Sequence, residues 1–222
     1  MIELVAVKEP KEDTENIHYI ADSEELTSMT KKYNYAIEHF CVNSSEQYFC
    51  FRHDDATFNT PADVMKYKLD KLFEDKSIGV VGLIGTYLLE SSGVWWLPQR
   101  VTNGVGEIIQ GRPDGTTFPM RDFPGLHKHI ATVDGCCMWL SKSLIDSGIR
   151  FDENLEGYHF YDADICCQAL AAGFTNAVID ISVTHMSVGN MPANFSDYQR
   201  VFLEKWTKKI DHWPIGKFTN FR

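Results

Sequence analysis

The chain has 222 residues, 44% hydrophobic and 23% charged, with a net charge of −10. That length supports one generous domain with a real core, and the acidic balance excludes a general nucleic-acid surface, which needs a basic stripe. No segment approaches the ~20 consecutive apolar residues of a membrane span. Met1-Ile2-Glu3-Leu4 carries an acid rather than the basic, apolar pattern of a signal peptide. The six cysteines include the adjacent pairs Cys136-Cys137 and Cys166-Cys167 but no C-x-x-C. They sit among apolar residues, so reduced core thiols and a cytoplasmic setting are expected, with no zinc site.

In chain order, Glu3 to Val7 and Ile17 to Ile20 read as short strands separated by a charged loop broken at Pro10. Ser23 is placed to cap a helix whose first turn carries Glu24 and Glu25, and Leu26, Met29, Tyr33, Ala36, Ile37 and Phe40 recur at helical spacing. Tyr48 to Phe51 is a short aromatic-rich run that suits a buried strand, and it leads straight into His53-Asp54-Asp55. Thr60-Pro61 starts the next helix, with Thr60 as cap and Pro61 in the first helical position. Ile78 to Ile84 is a glycine-punctuated strand, so strand, helix and strand form a βαβ unit that predicts a parallel pair.

Thr86 to Lys128 is rich in Gly and Pro and reads as long loops around a hairpin of Val105–Ile109 with Thr116–Phe118. Trp95 and Trp96 lie in it; adjacent indoles either stack on a sugar ring or cover the core edge, and core cover is the commoner fate of either alone. Ile130 to Leu140 returns to strand character around Asp134-Gly135, and Ser141 caps a short helix ending at Gly148. Asp162 and Asp164 open a helix that Gly173 closes. Asn176 to Ile181 is a further strand, followed by His185, and a charged, aromatic helix begins at Phe195. One domain over 1–222 is the economical organisation, with the C-terminal helix and tail (195–222) packed on it.

Acids and imidazoles therefore fall at strand ends and helix starts, where open α/β sheets bind ligands. Adjacent carboxylates such as Asp54 and Asp55 are costly there unless a cation or ligand uses them. Oxygen ligands with a histidine suit Mn²⁺ better than Ca²⁺, which first marks His53 as a third ligand. A carboxylate at a helix start is suited to act as a general base, although Asp162 alone is also a good N-cap and Asp164 a helix-dipole partner. His127 and His129 form an H-x-H without an acidic or thiol partner nearby, so a loop role is expected.

Taken together, these motifs resemble the GT-A glycosyltransferases, family 2-like. Lys32-Tyr33-Asn34-Tyr35-Ala36-Ile37 looks like the helix before that family's metal-binding strand. Phe51-Arg52-His53-Asp54-Asp55 resembles its D-x-D motif with His in place of the first acid. Val133-Asp134-Gly135-Cys136-Cys137-Met138 resembles the strand facing the sugars, and Tyr161-Asp162-Ala163-Asp164-Ile165 with Ala172-Gly173-Phe174 is similar to the E-D-x-D-l…G-y block. His185 stands at the place of a late metal-binding histidine, and Phe202-Leu203-Glu204-Lys205-Trp206 is similar to the closing helix. The likeness covers about Ile17 to Trp206. Two departures stand out: Met1 to Asp22 abbreviates the nucleotide-binding part, and Tyr161 replaces the glutamate before the catalytic acid.

The resemblance implies a Rossmann-like, three-layer α/β/α sandwich with a central, mostly parallel sheet. It implies transfer of a sugar from a nucleoside-diphosphate donor to a glycan, lipid-linked or protein-linked acceptor, by inversion. Asp55 and His185 would hold Mn²⁺ or Mg²⁺, and Asp162 would be the base. Asp54, His53, Asn34, Asp22 and Asp134 would face the donor, and Asp164, His159, Trp95 and Trp96 the acceptor. Further domains in a longer chain are compatible with it. Two alternatives stand beside it. A sugar-phosphate nucleotidyltransferase would carry a glycine-rich basic N-terminal loop that is lacking here. A non-catalytic carbohydrate- or partner-binding domain of the same fold is supported by the abbreviated N-terminus.

Overall fold

The structure, a computed structural model, describes residues 1–89, 91–96, 103–187, 189 and 191–210. The tail after Ile210 and the part of the 86–128 loop containing Pro98 lie outside the described residues. The strands in chain order are β1 (Ile2–Ala6), β2 (Ile17–Ile20), β3 (Tyr48–His53), β4 (Ala56–Phe58), β5 (Ile78–Gly82), β6 (Ile84–Thr86), β7 (Gly104–Gly111), β8 (Thr117–Asp122), β9 (His127–Lys128), β10 (Thr132–Val133), β11 (Cys137–Ser141), β12 (Thr175–Val178) and β13 (Val183–His185). The α-helices are α1 (Met29–Ala36), α2 (Ala62–Phe73), α3 (Lys142–Asp146), α4 (Tyr161–Ala171) and α5 (Phe195–Ile210), and a π-helical turn, Ile37–Cys41, extends α1.

The main sheet has seven strands in the order β2-β1-β3-β11-β5-β12-β9, and the second runs β10-β6-β7-β13-β4 with β8 on β7. In the main sheet β2, β1, β3, β5 and β12 run one way, while β11 and β9 run against them. The sheet is therefore mixed, and β11 changes the expected βαβ unit. β3 and β5 share a direction across α2 but do not pair, because β11 lies between them, antiparallel to both.

Side-chain alternation along β3 sorts the layers. Tyr48 and Cys50 pack with Met65, Leu69, Leu72 and Phe73 of α2 and with Phe202 and Trp206 of α5. Phe49 and Phe51 turn to the other face, with Tyr33 and Ala36 of α1 and Leu144 of α3. Both phenylalanines have no exposed surface, a burial that contributes about 1.5–3 kcal/mol each. Helices on both faces of the sheet make the three-layer sandwich. The predicted hairpin is β7 with β8, registered Gln110 to Phe118.

Two helix starts differ from expectation. Ser28, not Ser23, caps α1, accepting from the Lys31 N–H at 3.3 Å, while the Ser23 hydroxyl only closes a turn on Leu26. Thr60 leaves the start of α2 to Pro61 because its hydroxyl accepts from the Ser182 N–H at 2.8 Å, tying the helix to the strand region before β13. Ser141 caps α3 as expected, on Leu144 N–H at 3.1 Å.

Asp164 joins α4 to α5. It has no exposed surface. Its Oδ1 accepts from the Trp206 indole at 2.6 Å and pairs with Lys205 at 2.8 Å, and its Oδ2 accepts from Gln168 at 2.7 Å. Lys205 also reaches Asp152 at 2.7 Å. This corrects the expectation that Asp164 faces the acceptor: its carboxylate is spent on holding the closing helix. Asp164→Ala leaves a cation and an indole without their acceptor and is expected to cost about 3–5 kcal/mol of folding stability, read as a fall in the urea midpoint.

Candidate active site

The antiparallel course of β11 builds the site. Because β11 opposes β3, its start lies at the carboxyl end of β3, and the His53 N–H bonds the Cys136 carbonyl at 3.0 Å. The Asp134-Gly135 loop is thereby delivered beside His53, Asp54 and Asp55. The second sheet supplies the other side. β13 pairs with β4 so that His185 opposes Ala56, and the Met186 N–H bonds the Asp55 carbonyl at 3.0 Å. His53, Asp55 and His185, separated in sequence by up to 132 residues, offer ligand atoms within 4.8 Å of one another.

The bonding state of these atoms fits a cation. Oδ1 of Asp55 and both ring nitrogens of His185 are buried and lack a hydrogen bond. His185 Nε2 and Asp55 Oδ1 approach only to 3.4 Å. Buried polar atoms are normally satisfied, and two imidazoles with a carboxylate form a donor set suited to Mn²⁺ or another divalent ion. Burial opposes ionisation of Asp55, but His185 and His53 outweigh it and hold the carboxyl below its ordinary value. Burial, reinforced by neighbouring His185, lowers His53 to about 4, so its ring is neutral and able to ligate. His185 is pulled the other way: burial opposes its charge, while Asp55 and Asp134 raise it. A second grouping, Asp134, Cys136 and His185, shares that imidazole. Burial and then Asp134 push the Cys136 thiol well up, so it stays protonated and is the poorer ligand for a hard ion.

The start of α4 enters this cluster through a strained residue. Phe160 precedes the helix at φ 67°, ψ −12°, a left-handed conformation that costs a side-chain-bearing residue about 1–3 kcal/mol. Its ring is held by Phe195 at 5.2 Å and Phe202 at 5.4 Å. The turn aims Tyr161 and Asp162 at Gly135. Asp162 is the second residue of α4 and not its cap. Oδ1 accepts from the Ala163 N–H at 2.8 Å and Oδ2 from the Gly135 N–H at 3.1 Å. Burial and the charge of Asp134 push its carboxyl up to about 7, against the pull of those N–H groups. A carboxylate poised there is matched to general-base work near neutral pH. Tyr161 donates to the Gly135 carbonyl at 2.9 Å, and its hydroxyl lies 2.7 Å from His53 Nε2. Burial keeps that phenol well above its ordinary value, hence protonated. A Cβ on residue 135 would lie 2.2 Å from the Tyr161 hydroxyl, so only glycine fits.

The remaining expected residues divide. Asp134 belongs to the cluster, with Oδ1 accepting from the Cys136 N–H at 2.8 Å. Asp54 and Asp22 lie on its rim; Asp54 is 3.7 Å from Lys11 and Asp22 pairs with the buried Lys32. Asn34 is corrected: its amide donates to the Phe151 carbonyl and to Glu153, both at 2.9 Å, and accepts from the Phe151 N–H at 2.9 Å. That side chain clamps the lead-in to the acid block and is not turned to a donor. Trp95 is 4% exposed and lies in the core, which leaves no face open to an acceptor. Trp96 and His159, 5.6 Å apart, form one aromatic patch with Phe195. His127 bonds Tyr87 at 2.9 Å and the Phe123 carbonyl at 2.6 Å, a structural use of the H-x-H.

Three contributors escaped the sequence. In the sequence, Tyr161 stands out only as a replacement for glutamate. Tyr158 is 59% exposed, with its ring 6.4 Å from His53; burial of its hydroxyl side and then Asp22, Asp54 and Asp55 raise its pKa, which places it over the acidic rim. Lys32, buried among apolar residues, bonds the Val7 carbonyl at 2.8 Å and counters Asp22. Each acts through a partner beyond the reach of helix or strand periodicity, so no local spacing signals it.

The solved structure of GalNAc-T7 with UDP, GalNAc and Mn²⁺ shares this fold at a TM-score of 0.54 and 8% identity, over 88% of this chain. This chain spans only 38% of that one. UDP-glucose pyrophosphorylase complexed with UDP-glucose gives a TM-score of 0.39 at 11% identity, over 85% of this chain and 66% of that one, too low to compare folds. No curated protein matches. The family description that does match, over residues 3–206, is the glycosyltransferase-like family, and the protein belongs to it.

Proposed function

We propose that this protein transfers a sugar from a nucleoside-diphosphate sugar to an acceptor hydroxyl, by direct displacement with inversion at the anomeric carbon. One observation supports the reading above the others. Within a glycosyltransferase-like chain, a buried carboxylate with a pKa of about 7 shares the Gly135 backbone with a cluster of unsatisfied ligand atoms. Asp55 and His185 would hold a divalent cation. Such an ion, when bound, neutralises charge on the departing diphosphate.

The chain's own groups supply the rest. Asp162 takes the proton of the acceptor hydroxyl as that oxygen attacks the anomeric carbon. Its two N–H partners keep the carboxylate oriented without cancelling the burial that raises its basicity. Asp54 and Asp22, on the exposed rim, would accept from hydroxyls of the donor, and Asp134 from the sugar. Trp96 and His159 form the aromatic side on which an acceptor sugar can lie. Residues 1–22, although short, pair in parallel with β3 through β1 and so border the same strand ends.

Turnover, substitution and titration test this. A panel of nucleotide sugars should show release of nucleoside diphosphate that chelation or Asp55→Ala abolishes; turnover indifferent to both refutes the metal assignment. Asp162→Asn should lower transfer at least ~10²–10⁴-fold, the range of a general base, with donor affinity nearly unchanged in calorimetry. Metal-dependent donor binding without turnover of any donor would instead favour a binding domain. In the metal-free protein, carbon-13 titration should find the Asp162 carboxyl near 7. A protonated Asp162 cannot act as base, so transfer should fall with an acid limb at the lower pKa of the metal-loaded protein. Added Mg²⁺ should move the titration down, because a nearby cation favours the carboxylate.

A further inference from the structure

The neighbours of His53 discriminate between its two tautomers. The Tyr161 hydroxyl has one proton and two close partners, the Gly135 carbonyl at 2.9 Å and His53 Nε2 at 2.7 Å. A carbonyl only accepts, so the proton lies toward Gly135. His53 Nε2 then satisfies the second contact only as a donor. The opposite assignment faces two acceptors at 2.9 Å and strands the carbonyl of Gly135. With the proton on Nε2, the ring's lone pair is on Nδ1, and a neutral imidazole ligates through its lone pair.

We propose that Tyr161 is a positioning residue of a divalent-cation site. Anchored on the Gly135 carbonyl, it fixes His53 as the Nε2–H tautomer and presents Nδ1 as a third protein ligand beside Asp55 and His185. The proposal rests on reading this cluster as a cation site, and it adds to the Asp55–His185 pair a ligand and the group that orients it. Outer hydrogen bonds of this kind set ring orientation and ligand basicity in metal sites. The absence of a side chain at residue 135 has the same origin, since any Cβ would occupy the position of the Tyr161 hydroxyl. The same glycine donates to Asp162, so one residue positions both the ligand and the base, and a shift of the α4 start moves the two together.

The test begins on the unaltered, metal-free protein. Long-range ¹H–¹⁵N correlations should show His53 as the Nε2–H tautomer; an Nδ1–H pattern overturns the proposal without recourse to any variant. Mn²⁺ affinity, read from the electron paramagnetic resonance of free Mn²⁺, should then weaken about 10–100-fold in Tyr161→Phe. It should weaken at least as much in His53→Ala, and the double variant should bind no worse than His53→Ala alone, because Tyr161 acts through that ring. Additive losses overturn the positioning role. Wild-type protein that binds no Mn²⁺ overturns the cation reading and this proposal with it, whereas wild-type binding that Tyr161→Phe leaves unchanged overturns the proposal alone.

Discussion

The site depends on how the start of α4 is fastened to one glycine. Tyr161 bonds the carbonyl of Gly135 and Asp162 bonds its N–H, so both backbone polar groups of a buried glycine are satisfied by consecutive side chains. Buried backbone groups left unpaired are costly, and here the same bonds place a carboxylate and a histidine within one small volume. The left-handed Phe160 that makes the turn is tolerated because Phe195 and Phe202 hold its ring from α5. Backbone strain at the site is thus balanced by packing contributed from the C-terminal helix.

Electrostatics reconciles an acidic chain with the anionic donor proposed for it. Asp54, Asp55, Asp134 and Asp162 gather at the carboxyl ends of β3 and the start of β11. Two of them show the conflict directly: His185 and His53 hold Asp55 down, while burial and Asp134 push Asp162 up. Two carboxylates in one site are driven apart in pKa when one finds imidazole partners and the other is desolvated. The low one suits ligation and the high one suits proton transfer, and a cation completes the balance of charge.

The inverted strand β11 is the architectural counterpart of this chemistry. A parallel strand at that place would put its amino end at the far edge of the sheet. Running against β3 and β5, it brings Asp134 and Gly135 to the edge where His53 and Asp55 emerge. The ladder of β13 with β4 does the same for His185 from the second sheet. Asp164, Lys205 and Trp206 then lock α5 over the back of α4, which keeps the start of α4 in register with that edge.

Much of this was legible in the order of residues. The aromatic alternation of β3, the cap at Ser141, the hairpin of β7 with β8 and the acids at strand and helix ends follow from local periodicity and capping chemistry, which depend on neighbours a few residues away. The motif order likewise pointed to the glycosyltransferase-like family. What only the tertiary structure decided is which side chains meet. Asp164 and Asp162 stand two residues apart with similar local signals, yet one is sealed under Trp206 and the other lines the site. Asn34 is spent on the backbone of Phe151, and Trp95 on the core. His53 joins Asp55 and His185 through a tyrosine 108 residues away. These contacts are set by strand direction and register across the sheets. A spacing rule cannot carry them, because the energy that selects them lies in burial and pairing between segments distant in the chain.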